Sequence, residues 1–158
     1  MNKLFKILSV TLFAFVVTAC GDKANPAAEF KKLNDWSVNN QQAVMTLQTE
    51  IQQSLASQDP AKIEEAVKKF NDKFAEFQKE LDAIEVKDPE IKAFKDKVKN
   101  GLISSNKLIT DVITLMKSPT AELQKQVEEG TKKLMQDASE VTKLQTELQK
   151  KYPTNELN

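Results

Sequence analysis

Few side chains of this protein can do chemistry at neutral pH, and the most reactive is Cys20. It is the sole cysteine among 158 residues, the chain has no histidine, and all 23 basic residues are lysines. A serine or threonine nucleophile therefore lacks the base that most often activates it. Haem ligation by two histidines or by histidine and methionine is excluded, and no arginine can clamp a phosphate or carboxylate. The thiol, the lysines and the carboxylates remain as candidate reactive groups.

Cys20 lies at the end of a short apolar segment near the start of the chain. Residues 7–21 read ILSVTLFAFVVTACG, and Lys3 and Lys6 precede them. The apolar run is shorter than the roughly 20 residues that a membrane-spanning helix needs. A basic start, a short apolar run and a small residue at Ala19 are typical of a secretory signal peptide. The sequence therefore predicts that residues 1–19 are a signal peptide and that the mature chain begins at Cys20.

The four residues Val17-Thr18-Ala19-Cys20 resemble the lipobox of bacterial lipoproteins. The resemblance implies that Cys20 is lipidated, that the chain is cut before it, and that the new N-terminus is acylated, for instance with palmitate. The membrane is then a partner through the lipid on Cys20. In enterobacterial lipoproteins, aspartate directly after the cysteine retains the protein in the inner membrane, and Gly21 occupies that position here. The resemblance thus favours the outer membrane, facing the periplasm, with the outer face of the cytoplasmic membrane as the alternative.

The remaining candidate groups indicate no catalytic, metal or cofactor site. Adjacent glutamates occur at positions 64–65 and 128–129, but no short loop gathers carboxylates as an EF-hand does. Ser104 and Ser105 lie in the middle of an apolar helical pattern, and a serine–lysine pair would need a shielded pocket there. We therefore predict that the protein is not an enzyme and that it has no catalytic residue, no metal ligand and no cofactor.

The charge balance argues against nucleic acid as a partner. Lys3 and Lys6 leave with the signal peptide, so the 23 lysines become 21 against 23 acidic residues. A mature domain with a net side-chain charge of −2 has no basic face for a phosphate backbone. We therefore predict no binding of nucleic acid.

Five prolines divide the mature chain into segments of similar length. Four of them follow residues that are good N-caps: Asn25, Asp59, Asp88 and Ser118. Proline is tolerated at the first position of a helix, where its missing N–H would have no partner. The pattern predicts helices over residues 26–57, 60–86, 89–117 and 119–151.

The apolar residues of each segment repeat every three or four positions, as in helices that bury one stripe. The first stripe is Phe30, Leu33, Trp36, Asn40, Val44, Leu47, Ile51 and Leu55. The second is Ile63, Val67, Phe70, Phe74, Phe77, Leu81 and Ile84. The third is Ile91, Phe94, Val98, Leu102, Ser105, Ile109, Val112 and Met116. The fourth is Leu123, Val127, Gly130, Leu134, Ala138, Val141, Leu144 and Leu148.

These stripes and the short links predict an all-α fold, an antiparallel up-down-up-down four-helix bundle. The bundle covers residues 26–152, after a lipidated N-terminus and linker at 20–25 and before a mobile tail at 153–158. A helical-repeat solenoid is the alternative, because the prolines recur every 29 to 34 residues. The predicted hairpin of the second and third helices turns near Lys87 and sets bulky rings against small residues. Its expected pairs are Phe70 with Ser104, Phe74 with Gly101, and Phe77 with Val98.

The function that fits these features is that of a non-catalytic, lipid-anchored lipoprotein of the cell envelope that binds a protein partner or acts structurally. The alternative is a carrier or sensor that holds an apolar ligand in the bundle, since Phe70, Phe74 and Phe77 could line a pocket as well as fill a core. The mature helical domain resembles no family by its own residues.

Overall fold

The computed structural model describes residues 25–153, and this part of the chain consists of four helices. They are α1, Pro26–Ser57; α2, Pro60–Ala83; α3, Pro89–Lys117; and α4, Ala121–Lys151. Residues 25–153 contain no strand, so the predicted all-α class is confirmed. None of these helices is long and apolar enough to cross a membrane.

The first three helices begin as the sequence predicts, with a capping side chain followed by proline. The side chains of Asn25, Asp59 and Asp88 each accept a hydrogen bond from the backbone N–H two residues on, at 2.9–3.1 Å. Each cap satisfies at least one of the N–H groups that the first turn of a helix leaves without a partner, and Asp88 also accepts from the N–H of Ile91. The prolines at positions 26, 60 and 89 therefore mark true helix starts.

The bounds of two helices differ from the prediction. α2 ends at Ala83 instead of residue 86, because Ile84 adopts an extended backbone. α4 begins at Ala121 instead of residue 119, and its cap is Thr120, whose Oγ1 accepts from the N–H of Leu123 at 3.1 Å. Ser118 ends α3, since its N–H donates to the carbonyl of Thr114. Pro119 thus separates two helices and does not start one.

The buried residues form one large core and one smaller cluster. The large core draws on all four helices, and its most buried large side chains are Phe30, Phe70, Phe77, Phe94, Ile51, Leu81, Ile91 and Leu102. The smaller cluster joins only α3 and α4, through Leu108, Val112, Val127 and Leu134, with Leu115 packed against it. The predicted stripes of α1 and α2 supply most of the large core. The third stripe ends early, because Met116 is 49% exposed.

The two main packing pairs are α1 with α2 and α3 with α4. Helix α3 packs less extensively on α2 and on α1. Ion pairs link neighbouring helices at three points. Lys99 pairs with Asp82 between α3 and α2. Lys97 pairs with Glu140, and Lys151 with Glu90, between α3 and α4.

The predicted contact of Phe74 with Gly101 is wrong. A Cβ atom on Gly101 would have no heavy atom of a neighbouring element within 4 Å. Glycine is therefore not needed there to admit a ring, and the expected overpacking by a larger residue has no basis. The closely packed glycine is Gly130, where a Cβ would lie 3.3 Å from Cδ1 of Leu108.

Candidate functional site

The start of α1 is the part of the described chain nearest to the predicted lipid anchor. Cys20, the predicted lipidation site, lies outside the described residues, and Asn25 is the first residue that the structure describes. Five linker residues reach at most about 18 Å. A lipid on Cys20 would therefore hold the first turn of α1 close to the membrane surface.

A buried carboxylate fixes this end of the bundle. Oε2 of Glu29 accepts hydrogen bonds from the backbone N–H groups of Lys87 and Asp88, at 3.0 and 2.9 Å. Nζ of Lys95 donates to the carbonyl of Ile84 at 2.6 Å, in the same α2–α3 link. The link is thus held from α1 on one side and from α3 on the other. The first turn of α1 and this link form one fixed end.

Trp36 lies in the core of the bundle. It is 9% exposed and belongs to the large core, as does Leu81. Its Nε1 donates to Oε2 of Glu80 at 3.1 Å, and Nδ2 of Asn40 donates to the same oxygen at 2.9 Å. One carboxylate of α2 therefore ties two side chains of α1, which orients the indole within the bundle.

The three phenylalanines of α2 fill the core with one another. The rings of Phe70 and Phe74 stack with their centroids 4.1 Å apart, and those of Phe74 and Phe77 lie 5.7 Å apart. All three side chains are at most 2% exposed. This packing supports the interpretation of the stripe as core. A role in holding an apolar ligand stays a prediction.

The serines of α3 do not form a dyad with lysine among the described residues. Ser105 is buried, and its Oγ has no hydrogen-bond partner there. Four further buried polar atoms of this kind belong to Asn34, Ser37, Asn71 and Gln145. A hydroxyl that is activated as a nucleophile needs a base within hydrogen-bond reach. Ser105 has none in residues 25–153.

The carboxylates that the sequence singled out lie in solvent. The side chains at positions 64, 65, 128 and 129 are all exposed. Within residues 25–153, no group of three or more acidic, cysteine or histidine side chains is close enough to hold a metal ion. These glutamates form a charged surface.

Ion pairing raises the pKa of three lysines, and each has an acidic partner on the surface. Hydrogen bonding to Glu65 raises the pKa of Lys69, and hydrogen bonding to Glu140 raises that of Lys97. The bond to Glu90 likewise raises the pKa of Lys151. These shifts stabilise the charged amine, whereas a lysine base or nucleophile needs a lowered pKa. The three lysines therefore have the electrostatics of surface ion pairs.

An open groove of about 430 Å³ lies between the end of α1 and the start of α2. Its lining carries both signs of charge and several hydroxyl and amide groups: Glu50, Gln53, Ser54, Ser57, Lys62, Glu65, Ala66 and Lys69. Lys69 and Glu65 pair at 3.0 Å within it. A groove of this kind suits contact with a polar surface, since Lys62, Glu65 and Lys69 in its lining are exposed.

The described part of the chain thus defines an all-α bundle whose predicted attachment point precedes α1. A comparison with protein families gives the same class, since residues 27–153 match the family described as Uncharacterised lipoprotein PM1805. The chain belongs to this lipoprotein family, which associates it with the cell envelope through a lipid anchor. No curated protein and no solved structure matches it.

Sequence reasoning missed Glu29 and Glu80, which join α1 to α2 and to the α2–α3 link. Both sit among many surface glutamates, and nothing in their spacing marks them as hydrogen-bond acceptors within the bundle. The only available signal was position: Glu29 lies in the first turn of α1, and Glu80 lies one residue before the buried Leu81.

Proposed function

We propose that the protein is a non-catalytic lipoprotein, anchored to the cell envelope by lipid on Cys20, that presents its helical bundle to a protein partner. The observation that carries the anchor is the lipobox at residues 17–20, joined to a domain of a lipoprotein family by a five-residue linker. The bundle would stand within about 18 Å of the membrane surface.

The positions of the ionisable groups support a role in binding a partner and not a role in catalysis. The rings of α2 pack on one another in the core. The lysines with shifted pKa are exposed and paired. Enzymes instead place titratable groups in shielded sites where the pKa moves toward the working pH. The long charged and polar helix faces suit a binding or structural role.

We also propose that the four helices run up-down-up-down. The ion pairs between α3 and α4 support this arrangement, because Lys97 meets Glu140 while the earlier Glu90 meets the later Lys151. Trp36 and Asn40, in the first half of α1, both donate hydrogen bonds to Glu80, near the end of α2. In each hairpin, residues early in one helix lie beside residues late in the next.

The anchor is tested by replacing its thiol in the full-length chain. Cys20→Ser removes the sulfur that carries the lipid, so the variant is expected as uncut precursor or as unlipidated protein. The matched control is Thr18→Ser, which leaves the cysteine in place. Processing is read from the size of the protein in the membrane fraction. Normally processed, membrane-bound Cys20→Ser protein would contradict the proposal.

The choice of membrane is tested at the residue after the cysteine. If the cell has an outer membrane, we expect the wild-type protein in the outer-membrane fraction of a density gradient. Gly21→Asp should move it to the inner-membrane fraction, and Gly21→Ser should leave it in place. An inner-membrane position for the wild-type protein would support the cytoplasmic membrane instead.

A further inference from the structure

The outward face of α1 is nearly free of charge. From Val38 to Gln58 the sequence has one ionisable residue, Glu50, although charged residues make up 29% of the whole chain. The exposed side chains of this stretch repeat every three or four positions and so form one line along the helix. We call them the uncharged stripe: Asn39, Gln42, Thr46, Thr49, Gln53 and Ala56. Met45, beside it, is 55% exposed.

The uncharged stripe differs from the outward face of α2. The exposed positions near the start of α2 include Lys62, Glu64, Glu65, Lys68, Lys69 and Asp72. Protein interfaces are depleted of lysine and acidic residues at their centre and are enriched in methionine. The hydroxyls of Thr46 and Thr49 donate to the carbonyls of Gln42 and Met45, at 3.0 and 2.9 Å. Their donors are satisfied within the helix, which lowers the cost of removing them from water.

The anchor limits how two copies can meet. If lipid holds both chains in one membrane, both α1 helices start within about 18 Å of the same surface. A two-fold axis along the membrane normal then places the two helices side by side in the same direction. In such a parallel contact, each residue lies opposite its own copy. A charged residue would face a like charge there, whereas amides both donate and accept hydrogen bonds and can pair with themselves.

We propose that the uncharged stripe of α1 docks against the same stripe of a second copy, in a parallel two-fold contact between membrane-anchored molecules. This inference rests on the lipid anchor of the proposed function. A parallel contact requires residues that can face their own copies without charge repulsion. The uncharged stripe meets this requirement, since it carries amides, hydroxyls and a methyl group and no charge. The mixed lysine and glutamate faces of α2 and α4 do not meet it.

The size of the stripe sets the strength of the contact. Seventeen steps from Asn39 to Ala56 span about 26 Å at 1.5 Å per residue. A contact of that length and one helix width buries on the order of 300–400 Å² per copy, below the roughly 800 Å² typical of stable interfaces. The pair should therefore be weak in solution. Confinement to one membrane raises the effective concentration of the copies and favours it there.

Cysteine cross-linking of the full-length, membrane-bound chain tests the proposal. The thiol of Cys20 is blocked by the lipid, so an introduced cysteine is the one free thiol that can form a disulfide between copies. Thr46→Cys places two thiols at the centre of the contact, where the Cα separation suits a disulfide. We expect a product of twice the monomer mass, about tenfold more abundant than from Lys68→Cys on the exposed face of α2.

A charge variant makes the test specific to the stripe. Adding Thr49→Glu to Thr46→Cys sets like charges opposite each other and should reduce the product by about tenfold, whereas Thr49→Gln should preserve it. The proposal is overturned if membrane-bound Thr46→Cys protein stays monomeric, if Lys68→Cys cross-links equally, or if the product has the mass of another protein. Loss of wild-type protein from the membrane fraction would instead overturn the anchor, which separates the two failures.

Discussion

At the scale of single residues, two carboxylates join elements that are distant in sequence. Glu29 accepts two backbone N–H groups of the α2–α3 link, and Glu80 accepts from two side chains of α1. Each carboxylate stabilises the fold because it accepts hydrogen bonds from N–H groups that are removed from water on folding. Without this acceptor, those groups would have no hydrogen-bond partner. These contacts hold α1 to α2 and to the α2–α3 link, and a lipid on Cys20 would bring the first turn of α1 close to the membrane surface.

Removing the Glu29 acceptor should destabilise the domain. Glu29→Ala leaves the N–H groups of Lys87 and Asp88 without it, which is expected to cost roughly 1–3 kcal/mol in the free energy of unfolding. Glu29→Gln keeps a side-chain oxygen and should cost less. Urea denaturation measures both, with the exposed Glu64→Ala as control. Equal stability of Glu29→Ala and Glu64→Ala would show that the contact contributes nothing.

The two helical glycines should respond differently to alanine. Glycine inside a helix costs about 1 kcal/mol relative to alanine, and a Cβ on Gly101 meets open space. Gly101→Ala should therefore stabilise the domain by roughly 0.5–1 kcal/mol. Gly130→Ala should gain less, because its Cβ would press on Leu108 at 3.3 Å. Thermal unfolding of both variants gives the comparison, and a larger gain at position 130 would contradict it.

At the scale of helices, capping side chains decide where each element begins. Asn25, Asp59 and Asp88 act with the proline that follows them. Between α3 and α4 the proline is displaced from the first helical position, and Thr120 caps α4 after it. A capping residue before proline is therefore a good but incomplete signal, because the serine at position 118 serves the end of the preceding helix.

The position of the α4 cap can be measured directly. Thr120→Ala removes the acceptor of the Leu123 N–H and should cost about 1 kcal/mol of stability. Ser118→Ala removes a side chain that is exposed beyond the end of α3 and should change stability by less than about 0.5 kcal/mol. Chemical denaturation compares the two. A larger loss of stability from Ser118→Ala than from Thr120→Ala would indicate that α4 begins at Pro119, with Ser118 as its cap.

The ion pair between α3 and α4 predicts a pH dependence. The hydrogen bond and charge of Glu140 raise the pKa of Lys97 above its ordinary value. The stabilisation by this pair is therefore present below the ordinary lysine pKa and is lost as pH rises through the raised pKa. An NMR titration of the Lys97 amine should find a higher pKa in the wild-type protein than in the Glu140→Gln variant. Equal pKa values of Lys97 in the two proteins would contradict the pair.

Much of the fold follows from the sequence, because its helices are long and regularly patterned. The stripe from Phe30 to Leu55 is buried throughout, and the proline positions give three helix starts. The register between helices was not predictable, since a stripe fixes which face is buried but not what lies opposite. The Phe74–Gly101 pair failed for that reason. Glu29 and Glu80 were missed because a buried acceptor and a surface glutamate look alike until tertiary contacts separate them.

At the scale of the whole molecule, a helical bundle of a lipoprotein family follows a predicted lipid anchor after a five-residue linker. If Cys20 carries the lipid, so short a linker would keep the bundle next to the membrane. The short linker would also determine how two copies meet, because both α1 helices would start at the same membrane surface. Anchor, orientation and the uncharged stripe then belong to one arrangement.

The proposed function and the proposed contact between copies both require that Cys20 is the lipidated first residue of the mature chain. The most direct measurement is the mass of the intact protein extracted from membranes, with fragmentation of its N-terminal peptide. We expect a chain of residues 20–158 whose first residue carries a thioether-linked diacylglycerol and an acylated amine. A mature chain that starts at another residue, or a free thiol on Cys20 in membrane-extracted protein, would contradict it.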